Sequence, residues 1–244
     1  EAMARSKSFT VLGLAGNQIA DAGAAKLADA VATSTSLTTL FLARNQITDV
    51  GATALAEAVA KSTSLTKLCL TGNQITDLGA SALAEAVTTS TSLTLLRLSR
   101  NKITNAGASA LAEAVAKSTS LTVLELLYNQ ITEAGAAKLS AALMRSANVE
   151  RIDLTGNRTT RAADETLSAA MVVIQAIRPT LWLLGRPLRA LPGKLTARGF
   201  ISERDGDHAI WYRVMAFLAS VEADVEERGY CHWWRRPANR LRWL

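Results

Sequence analysis

Apolar positions in this chain follow two spacings that take turns. In the stretch SLTTLFLARNQITDVGATALAEAVAKST, Leu37, Leu40 and Leu42 come first, then Asn45, Ile47, Gly51, Leu55 and Val59. Side chains of Leu40, Phe41 and Leu42 alternate across an extended chain, whereas Leu55, Ala56 and Val59 fall on one helical stripe. The stretch therefore predicts a strand, a turn and a helix. The same pattern restarts at Phe9, Leu37, Leu65, Leu93, Leu121 and Val149, each 28 residues after the last. Self-similarity at a fixed period marks a stacked array, because no single unit buries its apolar face alone.

The fold class that follows is α/β: a solenoid with a parallel sheet on one side and helices on the other, closed by a mostly helical C-terminal appendage. Asn17, Asn45, Asn73, Asn101, Asn129 and Asn157 recur where each strand turns away. A buried amide there must find backbone partners or cost roughly 1–3 kcal/mol, so the column reads as a structural ladder. Gly23, Gly51, Gly79, Gly107 and Gly135 mark places where a larger residue would obstruct packing at the start of the helix. The Thr48-Asp49 pair is expected to accept hydrogen bonds from the first amides of its own helix. Glu57 with Lys61, and Glu113 with Lys117, are spaced to support the exposed helix face.

The residues LTTLFLARNQITDVGATALAEAV resemble the 28-residue, ribonuclease-inhibitor-type leucine-rich repeats, with their LxxLxLxxNxI strand half and GAxALAxAL helical half. The resemblance covers residues 9 to about 157, five times almost without error and a sixth time degraded. It implies a horseshoe with a concave sheet and convex helices, used inside cells to bind proteins, as in ribonuclease inhibitor and the sensor region of NOD-like receptors. Ran GTPase-activating proteins share the subtype and act through a surface arginine, which makes a GTPase-activating regulator, or a sensor fragment of a larger receptor, the alternative readings.

Within this one chain the framework hardly varies, while the strand positions between the leucines vary freely. Four columns result: Val11 to Arg151, Gly13 to Asp153, Ala15 to Thr155 and Gly16 to Gly156, 24 positions in all. That number fits the ~20–30 residues of one side of a standard protein interface. Interface energy concentrates in aromatic and arginine side chains, so Phe41, Arg44, Arg97, Arg100 and Tyr128 are the expected anchors. Leu95 and Leu127 supply an apolar centre with Val123, and Lys67, Glu125, Arg151 and Asp153 complete the partner-binding set. Arg97 is also placed to pair with Glu125 on the next strand, and Arg151 to neutralise Asp153 beside it. Cys69 is read as a small residue of the same face, with a surface thiol as the reactive alternative.

Charge changes the picture near residue 157. Residues 1–157 hold 13 basic and 12 acidic groups, the remainder 14 and 9, and the remainder carries all five tryptophans. Residues 1–178 are accordingly read as the solenoid, its sixth repeat degenerate and capping, and 179–244 as an Arg/Trp-rich region of uncertain fold. Asp207 to Gly229 has the spacing of an amphipathic helix, and YCHWWRRPANRLRWL could touch nucleic acid or a membrane surface. Translation of a disrupted reading frame would equally explain so abrupt a change.

The chain offers little for catalysis. Its histidines, His208 and His232, lie beyond the repeats and away from any nucleophile motif, and no GxxxxGK loop occurs. Glu125 and Asp153 alone make a poor cation site. The expectation is a non-enzymatic recognition module with no cofactor and no small-molecule substrate, whose partner is a protein. Sparse cysteine and no apolar leader in the first residues point to the cytoplasm, with an N-terminus that is incomplete if a longer chain exists.

Overall fold

The computed structural model describes residues 9–160 and, in the segment that follows, 163, 167, 168 and 171. Six strands alternate with five helices: β1 (Val11–Gly13), α1 (Asp21–Thr33), β2 (Thr39–Phe41), α2 (Asp49–Lys61), β3 (Lys67–Cys69), α3 (Asp77–Thr89), β4 (Leu95–Arg97), α4 (Asn105–Lys117), β5 (Val123–Glu125), α5 (Glu133–Arg145) and β6 (Arg151–Asp153). The strands form one parallel sheet in sequence order. Register is the repeat itself: Leu40 stands beside Leu68, Leu68 beside Leu96, Leu96 beside Leu124 and Leu124 beside Ile152. This is the expected α/β leucine-rich-repeat solenoid. The amphipathic helix and the aromatic, basic end expected after residue 179 lie outside the described residues.

Each strand is only three residues long, yet backbone pairing continues past it. Leu42 N–H donates to Cys69 O at 2.8 Å and Arg44 N–H to Thr71 O at 2.7 Å, so the turn out of the strand is as firmly held as the strand. The core lies between sheet and helices. Leu40, Leu42, Ile47 and Leu55 are fully buried, and so are their counterparts through Leu124, Leu126, Ile131 and Leu139. Cutting any of these leucines to Ala would cost about 2–5 kcal/mol. Buried alanines such as Ala52, Ala56 and Ala58 let neighbouring helices approach closely.

Three polar ladders close the backbone where this core meets the turns. The Asn ladder behaves as expected: Asn73 Nδ2 donates to Leu42 O and Leu70 O, both at 2.9 Å, and its Oδ1 accepts Ile47 N–H at 3.1 Å. A second ladder, of serines, was not anticipated from sequence. Ser62 ends α2, is buried, and its hydroxyl accepts Leu65 N–H at 3.1 Å, while Ser64 Oγ donates to Ser34 O and Leu37 O of the preceding repeat.

The third ladder corrects the expected helix cap. Thr48 precedes α2 but makes no side-chain cap. Asp49 does not serve its own helix either: it accepts Thr76 N–H at 2.7 Å, Thr76 Oγ1–H at 2.6 Å and Gly79 N–H at 2.9 Å, all one repeat onward. Asp21 does the same for Thr48 and Gly51 and Asp77 for Thr104 and Gly107, while the neutral Asn105 accepts the N–H groups of Thr132 and Gly135 and donates through Nδ2 to Thr132 Oγ1. A fixed negative charge beside the free amides of a helix start satisfies both the donors and the helix dipole. The glycine column is its counterpart, since a Cβ on Gly79 would lie 2.6 Å from Asp49 Oδ1 and 2.8 Å from Ile75 Cγ2. The expected pairs Glu57–Lys61 and Glu113–Lys117 are absent from the ion pairs of the described residues, in keeping with the small value of exposed pairs.

The sixth repeat keeps one ladder and drops the other. Asn157 still accepts Ile131 N–H at 3.0 Å, completing the fifth repeat. The forward cap changes at both ends: Glu133 replaces the Asp or Asn, and Ala163 replaces the glycine. The repeat therefore retains what its predecessor requires.

Candidate functional site

All eleven residues of the expected binding set occur on or beside the strands, on the face opposite the helices, and the register lines them up. Thr39, Lys67, Leu95, Val123 and Arg151 form one row across β2 to β6, and Phe41, Cys69, Arg97, Glu125 and Asp153 another. Exposure divides them. Arg44, Lys67, Arg100, Tyr128 and Arg151 stand out into solvent; Phe41, Leu95, Arg97, Glu125, Leu127 and Asp153 are half-buried. The expected surface is narrower than 24 positions, because Thr39, Cys69 and Ser99 are buried. Cys69 is 7% exposed and its thiol lies 3.5 Å from Thr71 Oγ1, which removes the surface-thiol reading. The Ser99 hydroxyl is buried with no hydrogen-bond partner.

Charges on the last three strands are already matched to each other. Glu125 pairs with Arg97 through Nε to Oε2 at 2.9 Å and with Arg151 through a guanidinium N–H to Oε1, also at 2.9 Å. The Arg97–Glu125 pair is as expected from sequence. The Arg151–Asp153 pair is not formed: the two share a face of β6, two residues apart, and Arg151 reaches across to Glu125 on β5 instead. Asp153 accepts Thr155 N–H and Thr155 Oγ1–H, at 3.0 and 2.7 Å. Each carboxylate thus has its own partners, and they do not converge on a shared cation position.

The strand-exit row has a distinct backbone. Gly16, Arg44, Gly72, Arg100, Tyr128 and Gly156 all have φ between 53 and 76°. This left-handed conformation is free for Gly and costs other residues about 1–2 kcal/mol. Arg44, Arg100 and Tyr128 hold it because their N–H groups are fixed to the next strand, Arg100 to Leu127 O at 2.7 Å and Tyr128 to Thr155 O at 2.9 Å. Their side chains lean the same way along the stack. The Arg100 guanidinium lies 4.5 Å from the centroid of the Tyr128 ring, and that ring covers Gly156, where any Cβ would collide with it. Arg44 Cγ lies over Gly72 in the same manner. Three glycines in one column, at multiples of the 28-residue period, are the sequence signal for this backbone.

No curated protein sequence matches the chain. Among solved structures, it is similar to leiomodin-1 actin-binding site 2, at 14% identity over 72% of this chain and 86% of that one, with a TM-score of 0.45. An internalin from Listeria monocytogenes is similar at 23% identity over 69% of this chain, with a TM-score of 0.44, and the match spans 47% of the internalin. The receptor-kinase repeat ectodomain from Arabidopsis thaliana is similar at 20% identity over 53% and 61%, with a TM-score of 0.30. The family description "Leucine Rich repeats (2 copies)" matches residues 35–85, and "Leucine Rich repeat" matches 5–28, 89–112 and 117–140. With these matches falling on the strands and helices of an unbroken stack, the chain belongs to the leucine-rich repeat family.

Proposed function

We propose that the chain is a protein-recognition module of the 28-residue, ribonuclease-inhibitor-type subfamily, which takes a protein partner on the open face of its sheet and performs no catalysis of its own. The observation that carries this reading is the strand-exit row. Glycine would fill all six positions at no conformational cost, and does so in three. At the other three the chain carries two arginines and a tyrosine, the residue types that dominate interface hot spots, in a backbone that penalises them. Phe41, Leu95 and Leu127 lie half-buried among the strands and supply apolar contact area beside those anchors. A cytoplasmic setting goes with the same reading.

The test is affinity capture from a cell extract with three full-length baits: the natural chain, Arg97→Ala/Tyr128→Ala on the sheet, and Glu57→Ala/Glu85→Ala on the helices. The proposal expects one partner held by the natural chain and the helix variant and lost by the sheet variant. Retention of that partner by the sheet variant would overturn it.

A further inference from the structure

The exposed face of the sheet is not electrically uniform, and its imbalance says what kind of partner it accepts. In the four variable columns, β1 to β4 carry Arg44, Lys67, Arg97 and Arg100 and no acidic residue. Glu125 and Asp153 belong to β5 and β6, and both are engaged, Glu125 by two arginines and Asp153 by Thr155. The helices lean the other way: α1 to α5 together hold eight acidic and five basic residues. One side of the stack is cationic and the other anionic.

Arg44, Lys67 and Arg100 have no carboxylate partner among the ion pairs of the described residues. Arg44 and Arg100 stand two strands apart, which at ~4.8 Å per strand is about 10 Å, or the length of roughly three residues of extended chain. One extended segment crossing the strands at their exits would meet both, passing over Gly72, while Lys67 stands at the start of β3 on the same face. Phe41 and Leu95, both half-buried, add apolar area nearer the start of the strands that lead to Arg44 and Arg100. Tyr128 supports the end of the row, its ring stacked under the Arg100 guanidinium. A guanidinium held against a ring is fixed in place and still presents its N–H fork to a carboxylate.

We propose that the strand-exit row of β2 to β4 docks an acidic, extended segment of a protein partner, with Arg44 and Arg100 receiving its carboxylates and Lys67, at the start of β3, adding to the positive field of the same face. This rests on the sheet-face reading above and narrows it to one partner chemistry. Complementary charge of this kind raises the association rate and makes binding salt-sensitive.

The experiment is fluorescence anisotropy on the full-length chain with a labelled deca-glutamate peptide, a deca-glutamine peptide and a ten-nucleotide thymidine strand as probes. Two triple variants accompany it, Arg44→Glu/Lys67→Glu/Arg100→Glu on the sheet and Lys61→Glu/Lys117→Glu/Lys138→Glu on the helices, each confirmed folded by its thermal transition. The proposal expects the natural chain to bind deca-glutamate in preference to both other probes, and the affinity to fall at least tenfold in the sheet variant and less than twofold in the helix variant. Binding of deca-glutamate by the sheet variant as tightly as by the natural chain would place the cation site elsewhere, the basic tail included, and overturn it. No binding by the natural chain, or tighter binding of the thymidine strand, would overturn it equally. A captured partner lost by Arg97→Ala/Tyr128→Ala but kept by the sheet triple variant would remove the acidic segment while leaving the sheet face as the docking side.

Discussion

Asp49 Oδ1 accepts the backbone N–H of Gly79 at 2.9 Å, across thirty residues of chain. The carboxylate sits in the first turn of α2 and completes the first turn of α3. Removing it should therefore injure the helix it does not belong to. Asp49→Ala is expected to cost about 1–2 kcal/mol, the usual value of a helix cap. Amide hydrogen exchange should accelerate at Thr76 and Gly79 and not at Gly51, which Asp21 caps. Faster exchange confined to the start of α2 would contradict the cross-repeat assignment.

Gly79→Ala brings a Cβ against three fixed atoms: Asp49 Oδ1 at 2.6 Å, Ile75 Cγ2 at 2.8 Å and Ala52 Cβ at 3.0 Å. Overpacking of this kind costs typically 1–3 kcal/mol. Part of the clash is with a group that can itself be removed, so the substitution should cost less in an Asp49→Ala background than in the natural chain. Denaturant melts of the four proteins of this cycle measure the coupling, and strict additivity would show that Asp49 and Gly79 do not interact.

Acid should loosen the stack through two carboxylates of this column, Asp21 and Asp77. Burial raises the pKa of Asp21 and of Asp77, but hydrogen bonds from a threonine hydroxyl and two backbone amides outweigh it, and both carboxyls lie below their ordinary value of 3.8. A carboxyl with a lowered folded pKa binds its proton more readily when unfolded. Its contribution is thus fully present above the unfolded value and is lost as pH falls from about 5 through 3.8 and past the folded pKa. In Asp21→Asn/Asp77→Asn the stability should depend less steeply on pH in that window, as read from urea midpoints between about pH 5 and pH 2. An unchanged slope would mean that folding does not shift the pKa of these two carboxyls.

Legibility in the sequence followed chemistry that repeats without exception. The strand leucines, the helical stripe and the Asn column recur in every unit, and all three were read correctly because each has one physical explanation. The Thr48-Asp49 pair has the form of a local cap and so points to the wrong helix; the offset of Asp49 to Thr76, one repeat onward, is visible only once the repeats are stacked. Ser62 and Ser64 went unread, since serine in a turn is ordinary and only its burial reveals the ladder. On the sheet face, the Arg97–Glu125 pair followed from neighbouring register. Arg151 did not, because two carboxylates compete for it and side-chain reach decides.

The left-handed row separates stability from recognition. Arg44→Gly and Arg100→Gly relieve a positive φ of 56 and 55°. Each should raise stability by roughly 0.5–1 kcal/mol, the relief being partly offset by the greater freedom of glycine in the unfolded chain. Each should also weaken binding on the sheet face. Thermal melts and the anisotropy assay together check this, and a loss of stability in Arg44→Gly would show that the arginine is held there by packing.

Two of the ladders point in opposite directions: Asn73 serves the turn before it, through Ile47, and Asp49 serves the helix after it, through Gly79. Donor and acceptor of every such pair are one repeat apart, so both recur in the gene with the same period. Recombination that adds or removes a whole unit of 28 codons, wherever it cuts within an internal repeat, rejoins each half to an equivalent of its lost mate. A slip of any other length breaks both ladders at once. The solenoid can therefore change length by unequal crossing-over and remain folded, and the width of its sheet, with the number of anchors upon it, is open to selection in single steps.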